Sequence, residues 1–269
     1  MSHTYRPALK PAKGLIQRDT CLQHYKLTRY LPSDDMAGFV ENYWIANWDL
    51  SDSEPYQQVS LPHPCQNMII SPTLTSGIFG VHTGKIIYKF EGKGRIFGVK
   101  FWPGAFHSFY TKPVSKLSDT LISIDEVFDT NVTKLEAELL VTPDFSEIAY
   151  RIEDMFRRKS PELDSKAVEV RNIIKTIEGN RDLVTVSTLV EIFGHSARTL
   201  QRLFDNYVGV SPKWVIDRYR MLEAVAALDD DANISIIELA NTLGYFDQAH
   251  FTKAFTKLVG YPPSRYNFN

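Results

Sequence analysis

Arg198, Gln201 and Arg202 stand three and four residues apart, the spacing that lines side chains along one face of an α-helix. A guanidinium grips the O6 and N7 atoms of guanine with two parallel hydrogen bonds, and a carboxamide pairs with adenine in the same two-point way. About fifty residues later a second row begins, with Gln248, Ala249, His250, Thr252 and Lys253: short polar groups and one cation. Small residues in such a row let a backbone come close to a partner surface. Between the polar positions run apolar ones at helical spacing, Leu200, Leu203, Phe204 and Tyr207 in the first row, Phe251, Ala254, Phe255 and Leu258 in the second. The outward groups suit the wide groove of a duplex. A polar outer face is also what any surface helix shows, so a single row decides little.

The elements that must hold these rows are repeated. Leu189-Val190 and Phe193-Gly194 match Leu239-Ala240 and Leu243-Gly244 at a shift of fifty residues. Gly209-Val210-Ser211-Pro212 matches Gly260-Tyr261-Pro262-Pro263 one residue further on. Each unit has an apolar helix that stops at a glycine able to take the left-handed conformation, then a short turn, then a residue suited to cap the next helix. The caps are Ser196 and Asp247. This is a helix-turn-helix plan made twice. Two copies of the same stop, cap and polar face are hard to explain by packing alone.

At these residues the sequence resembles the AraC/XylS family of bacterial transcription regulators. Leu243 to Tyr266, LGYFDQAHFTKAFTKLVGYPPSRY, is similar to the family's C-terminal signature, and Ser196 to Ala224 to its first unit and joining helix. The resemblance covers about 166–268. It implies a seven-helix domain that places two recognition helices in successive major grooves, held apart by a long helix expected over Pro212 to Leu228. Residue by residue it puts DNA contacts on Arg198, Thr199, Gln201 and Arg202, and on Gln248, Ala249, His250, Thr252 and Lys253. Family members often carry Ser where Ala249 stands and Arg where Lys253 stands. Lysine lacks the bidentate fork, so the first helix is expected to discriminate sequence and the second mainly to position the protein. The resemblance also implies an activator that contacts RNA polymerase, a homodimer and an effector-binding N-terminal domain.

The fold class expected is α+β. An antiparallel β sandwich or barrel of cupin-like kind, with flanking helices, spans 1–158. A polar linker at 159–165 follows, and then an all-α domain at 166–269, with helix-turn-helix units about 186–207 and 236–258. Short aromatic and β-branched runs between Val40 and Phe101, punctuated by prolines and glycines, carry the β reading. Asp144 to Arg158 has helical spacing, with Ile148, Ile152, Met155 and Phe156 on one stripe.

Net charge is −2 over 269 residues, so composition gives no global sign of a polyanionic partner. From Lys166 onward twelve basic residues face twelve acidic ones, which implies a shallow salt dependence. Two cysteines point to a reducing compartment. With no apolar run of membrane-spanning length and no apolar leader in MSHTYRPALKPAKG, the chain is expected in the cytoplasm, away from membranes.

Trp44, Trp48, His63, Cys65 and Trp102 are the candidate effector-binding residues, most of the aromatic material being core. His63 and Cys65, with His82 and His107, are of metal-ligand type, but their spacing matches no metal motif and no metal or cofactor is expected. No nucleophile elbow, phosphate loop or zinc-protease motif is present, so an enzyme is not expected. The alternative is a small-molecule-binding or enzymatic β-barrel with a helical protein-interaction tail.

Overall fold

Between Val40 and Leu50 aromatic and aliphatic side chains fall on both sides of an extended chain, and such a segment is stable only as a strand covered on both faces. The computed structural model, which describes residues 5–8, 12–159, 161–231 and 233–268, has it at the centre of the larger sheet. The N-terminal elements are α1 (Arg18–Cys21), β1 (Lys26–Tyr30), β2 (Val40–Leu50), β3 (Tyr56–Ser60), β4 (Asn67–Ile70), β5 (Gly77–Phe79), β6 (Ile86–Phe90), β7 (Gly92–Phe101), β8 (Leu121–Ile122), α2 (Ile124–Val127), α3 (Val132–Val141) and α4 (Phe145–Arg158). The C-terminal ones are α5 (Ser165–Gly179), α6 (Val186–Phe193), α7 (Ala197–Tyr207), α8 (Pro212–Asp230), α9 (Ile236–Thr242) and α10 (Gln248–Val259). Single 3-10 turns lie at Ala105–Ser108, Val114–Leu117 and Pro263–Phe268.

Six strands pair antiparallel in the order β1-β2-β7-β4-β5-β8, and β3 pairs with β6 in a separate ribbon. The architecture is the antiparallel sandwich followed by a helical domain that the sequence leads one to expect. On one face of the large sheet Tyr43, Phe97 and Val99 pack against Phe145, Ile152 and Phe156 of α4. On the other, Ala46, Trp48 and Ile96 meet Tyr25 and Phe90 beneath the ribbon. Two glycines of β7 make that second face possible. Gly98 pairs with Trp44 and Gly94 with Trp48, and a Cβ at either position would lie 1.9 or 2.0 Å from the indole. The indoles therefore lie on bare backbone.

The apolar stripe of α4 docks on the sheet, and a buried carboxylate pins it there. Glu153, fully buried, accepts hydrogen bonds from Tyr5 Oη (3.0 Å), Tyr43 Oη (3.1 Å), Ser33 Oγ (2.7 Å) and Arg157 Nη2 (2.9 Å). A charge so placed is tolerable only with this many donors. Between α4 and α5, residues 161–164 are neither helix nor strand, with Lys159 capping one helix and Ser165 opening the next. Ser160 of the expected linker lies outside the described residues.

The two helix-turn-helix units have separate cores. Ile173, Leu189, Leu200, Phe204 and Val215 fill the first, Leu222, Val225, Leu239, Phe251, Phe255 and Tyr266 the second. Val81 of the β domain joins the first core, and Ile16 and Leu61 join the second. The two parts of the chain are thus packed together.

Candidate nucleic-acid interface

Each recognition helix is opened by its cap. Ser196 Oγ accepts from the Thr199 backbone N–H (3.1 Å), and Asp247 Oδ1 from that of His250 (2.7 Å). Gly194 and Gly244 adopt φ of 69° and 70°, the left-handed conformation that the two helix stops require. Behind α7 lie buried Leu200, Leu203, Phe204 and Tyr207; behind α10, buried Phe251, Phe255 and Val259. The opposite faces are open. Arg198, Gln201 and Arg202 are exposed on α7, and Gln248, Ala249, His250 and Lys253 on α10, with Thr199 and Thr252 half-buried. Thr199 Oγ1 turns back to Ser196 Oγ (2.9 Å), and Gln201 Nε2 donates to Asp205 Oδ1 (2.9 Å). A base edge must displace that last contact to use the carboxamide.

Both turns are tied to neighbouring helices. His195 Nε2 lies 2.5 Å from Glu169 Oε1 on α5. Arg220 on α8 donates through Nε to the Leu243 carbonyl (2.7 Å), and its guanidinium lies over the Tyr245 ring at 3.9 Å. α8 joins the units. Ser211 caps it through the Trp214 N–H (3.1 Å), and Pro212 occupies its first turn. Its 19 residues span roughly 28 Å at 1.5 Å per residue, close to the ~34 Å between successive major-groove faces.

One exposed residue at this surface escaped the sequence reading. Phe246, just before the α10 cap, is 94% exposed. The signal available was its position: an aromatic residue between the buried Tyr245 and the cap has no helix face to bury it.

The helix ends away from the open faces meet the β domain. Gln66 Nε2 donates to the Val208 carbonyl (2.9 Å) and Ser118 Oγ to that of Gly209 (2.5 Å), just past α7. Lys85 Nζ donates to the Val259 carbonyl (3.0 Å) at the end of α10. Arg218 of α8, almost wholly buried, donates to the Thr83 carbonyl (2.6 Å) and stacks on Trp214. Burial lowers the Arg218 pKa to about 10, against the pull of Asp119.

The sequence-nominated effector residues are dispersed. A half-open pocket of about 170 Å³ between the large sheet and the β3–β6 ribbon is lined by Trp44 and His63, among others. A wider cleft of about 900 Å³ between β domain and α5 is lined by His63, Cys65 and Trp102. Trp48 lines neither; it packs in the core against Phe90 and donates to the Glu91 carbonyl (3.2 Å). Burial pushes the Cys65 thiol up to about 12, which disfavours the nucleophilic thiolate. His63, His82 and His107 are not brought together. His63 lies by the Lys13 carbonyl (3.1 Å), His82 beside Asp119 and His107 on the Tyr207 ring.

Two helix-turn-helix units with open polar faces and a common long helix define a nucleic-acid-binding domain. Residues 189–267 match the family described as a helix-turn-helix domain, and residues 28–123 a domain of unknown function (DUF6597). The C-terminal part of the chain is thus similar to the helix-turn-helix domains of transcription regulators. It is 37% identical over 103 residues to the F1 operon positive regulatory protein of Yersinia pestis, covering 38% of this chain and 34% of that one. To the XylDLEGF operon transcriptional activator 3 of Pseudomonas putida it is 32% identical over 96 residues, 34% and 29% of the two chains. The chain thus spans about a third of the length of these curated relatives. Among solved structures it is similar to ToxT from Vibrio cholerae, crystallised with (E)-4-(8-methylnaphthalen-1-yl)but-3-enoic acid: TM-score 0.40, 9% identity, 91% of this chain and 98% of that one. These relatives are named as regulators of transcription. No helix among the described residues is long and apolar enough to cross a membrane.

Proposed function

We propose that the chain is a sequence-specific regulator of transcription that inserts α7 and α10 into successive major-groove segments of one duplex, gated by its β domain. The observation that carries this is the duplicated geometry: two capped helices, each buried on one side and open on the other, joined by a helix of nearly groove-to-groove length. Arg198, Gln201 and Arg202 read bases; Gln248, Ala249, His250, Thr252 and Lys253 set position, with Lys253 on phosphate. Gating is supported by the docking of both recognition-helix ends on Gln66, Ser118 and Lys85 of the β domain. A ligand that shifts the β domain acts on both helices at once.

In this reading the protein is an activator in contact with RNA polymerase, works as a homodimer, and acts in the cytoplasm, where the chromosome is. The names of the relatives, a positive regulator and a transcriptional activator, support the direction of action. The test is sequencing of duplexes that the purified full chain recovers from a random pool. The expected result is an asymmetric element of roughly 15–20 base pairs, with two conserved blocks about one helical turn apart. Recovery with no enriched sequence overturns the reading. Sedimentation of the full chain over a wide concentration range tests pairing; a single monomeric species throughout would reject the homodimer.

A further inference from the structure

The two turns differ by one residue. In the first unit His195 alone stands between the stop Gly194 and the cap Ser196. In the second, Tyr245 and Phe246 stand between Gly244 and the cap Asp247. Tyr245 takes the part that His195 has in the first turn. His195 is tied to Glu169 of α5, while Tyr245 lies buried beneath the Arg220 guanidinium of α8, its ring also meeting Phe251 at 5.2 Å and His250 at 5.3 Å. Phe246 is therefore the surplus residue, and it is the one left 94% exposed.

Folding gains nothing from a phenyl group in that place. Burial is what stabilises a phenylalanine, and this ring stays in water. Nor does it sit on a loose loop. The Tyr245 N–H donates to the Ala240 carbonyl (2.9 Å), and Asp247 Oδ1 accepts from the His250 N–H (2.7 Å), so the backbone is fixed on either side of Phe246. The ring stands at the entry to α10, beside Gln248 and Ala249, the exposed residues of its first turn. Where α7 presents Arg198 and Arg202, the outward row of α10 opens with the Ala249 methyl and holds Lys253 as its cation. A phenyl ring and a methyl group at the leading end of a helix complement an apolar feature of its partner. In the major groove of a duplex that feature is the 5-methyl group of thymine.

We infer that Phe246 is a specificity-determining residue of the second unit, its ring packing on the 5-methyl group of a thymine in the major groove, with Ala249 beside it. The inference rests on the groove-insertion reading above and adds to it a base contact made without a hydrogen bond. A methyl group marks thymine off from the other bases at that place in the groove, whereas contacts to phosphate and sugar carry no base identity. The first unit then selects sequence through the hydrogen bonds of Arg198, Gln201 and Arg202, and the second through an apolar contact.

The test uses duplexes built on the sequence that the full chain selects from a random pool. Each thymine of the α10 block is replaced in turn by uracil, which removes the methyl group and leaves the base pair. Affinity is measured for the parent chain, Phe246→Ser and Phe246→Leu, with circular dichroism to confirm that the variants are folded. For the parent, uracil at one position is expected to weaken binding about three- to tenfold. Phe246→Ser is expected to lose a similar factor on the thymine duplex and to show no further loss on the uracil one, while Phe246→Leu keeps a preference for the methyl group. A parent indifferent to uracil at every position, or an α10 block without thymine, overturns the inference. So does a Phe246→Ser variant that keeps the parent's sensitivity to uracil, since the ring then has a sugar or structural role. A variant that binds both duplexes as the parent does, yet fails to stimulate purified RNA polymerase, assigns the ring to the polymerase and overturns the inference too. A pool with no enriched sequence sinks the insertion reading and this inference with it, whereas an enriched sequence indifferent to uracil sinks this inference alone.

Discussion

A single side chain at the groove surface contributes by what it touches, and its deletion reports whether the contact is to bases or to phosphate. Arg202 is exposed on α7 and has no carboxylate partner among the described residues. Arg202→Ala is expected to weaken the selected site by about 1–3 kcal/mol while leaving random duplex binding nearly unchanged, as fluorescence anisotropy on the two duplexes would show. Lys253→Ala is expected to weaken both duplexes alike and to flatten the salt slope by about one. Phe246 makes the case for an apolar contact. At 94% exposure it contributes almost nothing to the folded state, so Phe246→Ser should leave the melting temperature within a degree or so and still weaken the selected site, through loss of a thymine-methyl or sugar contact. An unchanged affinity would leave that ring without a role in recognition. The two rows were legible in sequence because helical spacing separates Arg198, Gln201 and Arg202 from Leu200, Leu203 and Phe204. Phe246 was not legible in the same way: its exposure follows only once Tyr245 is placed beneath Arg220 and the cap at Asp247 is fixed beside it.

At the scale of the element, the two glycine stops share a conformation but not surroundings. Both have a positive φ, yet a Cβ on Gly194 meets nothing within 4 Å, whereas one on Gly244 lies 2.8 Å from Val184 Cγ1. Gly194→Ala therefore costs about 1 kcal/mol, the strain of a left-handed alanine. Gly244→Ala costs that strain and the displacement of Val184 besides, so its urea midpoint should fall further. Equal midpoints would mean that the second turn gives way freely. The strands between Val40 and Phe101 and the helices from Val132 onward were readable because their periodicity is local. β1 and β8 were not, since Lys26–Tyr30 and Leu121–Ile122 are short and lack a clear alternation. The glycines opposite Trp44 and Trp48 were visible as residues, but their purpose depends on a register that no local pattern states.

The docking of the two domains is a property of the whole chain. It joins residues far apart in sequence, Gln66 to Val208 and Lys85 to Val259, through backbone carbonyls that any residue would offer, so the sequence carries no mark of it. Two histidines sit in that seam, and they are expected to make it sensitive to acid. His63, half-buried, packs edge-on to Tyr219 of α8 and lies by the Lys13 carbonyl; burial holds its pKa well below 6.5, the charges of Lys100 and Arg218 push it the same way, and the Lys13 carbonyl opposes them. His107 packs on Tyr207 of α7, and burial lowers it too, with Asp164 opposing and Lys166 assisting. The folded pKa of each is below the unfolded one, so their contribution is fully present above about pH 6.5 and is lost as pH falls towards the folded values. Asp35, held at about 2 by Arg157, and Asp164, held below its ordinary value by Tyr207, titrate at lower pH and leave the window from 7.5 to 5.5 to the histidines. Asp229 works in the opposite sense, since burial raises its pKa and its protonation favours the folded chain. Urea unfolding of the full chain should therefore show a midpoint that drops between pH 7.5 and 5.5, with a slope of at most about 1.4 kcal/mol per pH unit for each histidine. His63→Gln with His107→Gln should flatten that drop. Amides of α7 and α10, whose ends rest on the β domain, should exchange faster at the acid end in the parent chain than in the double variant, once each is corrected for intrinsic exchange. A parent and variant with the same pH profile would move the acid sensitivity out of the seam.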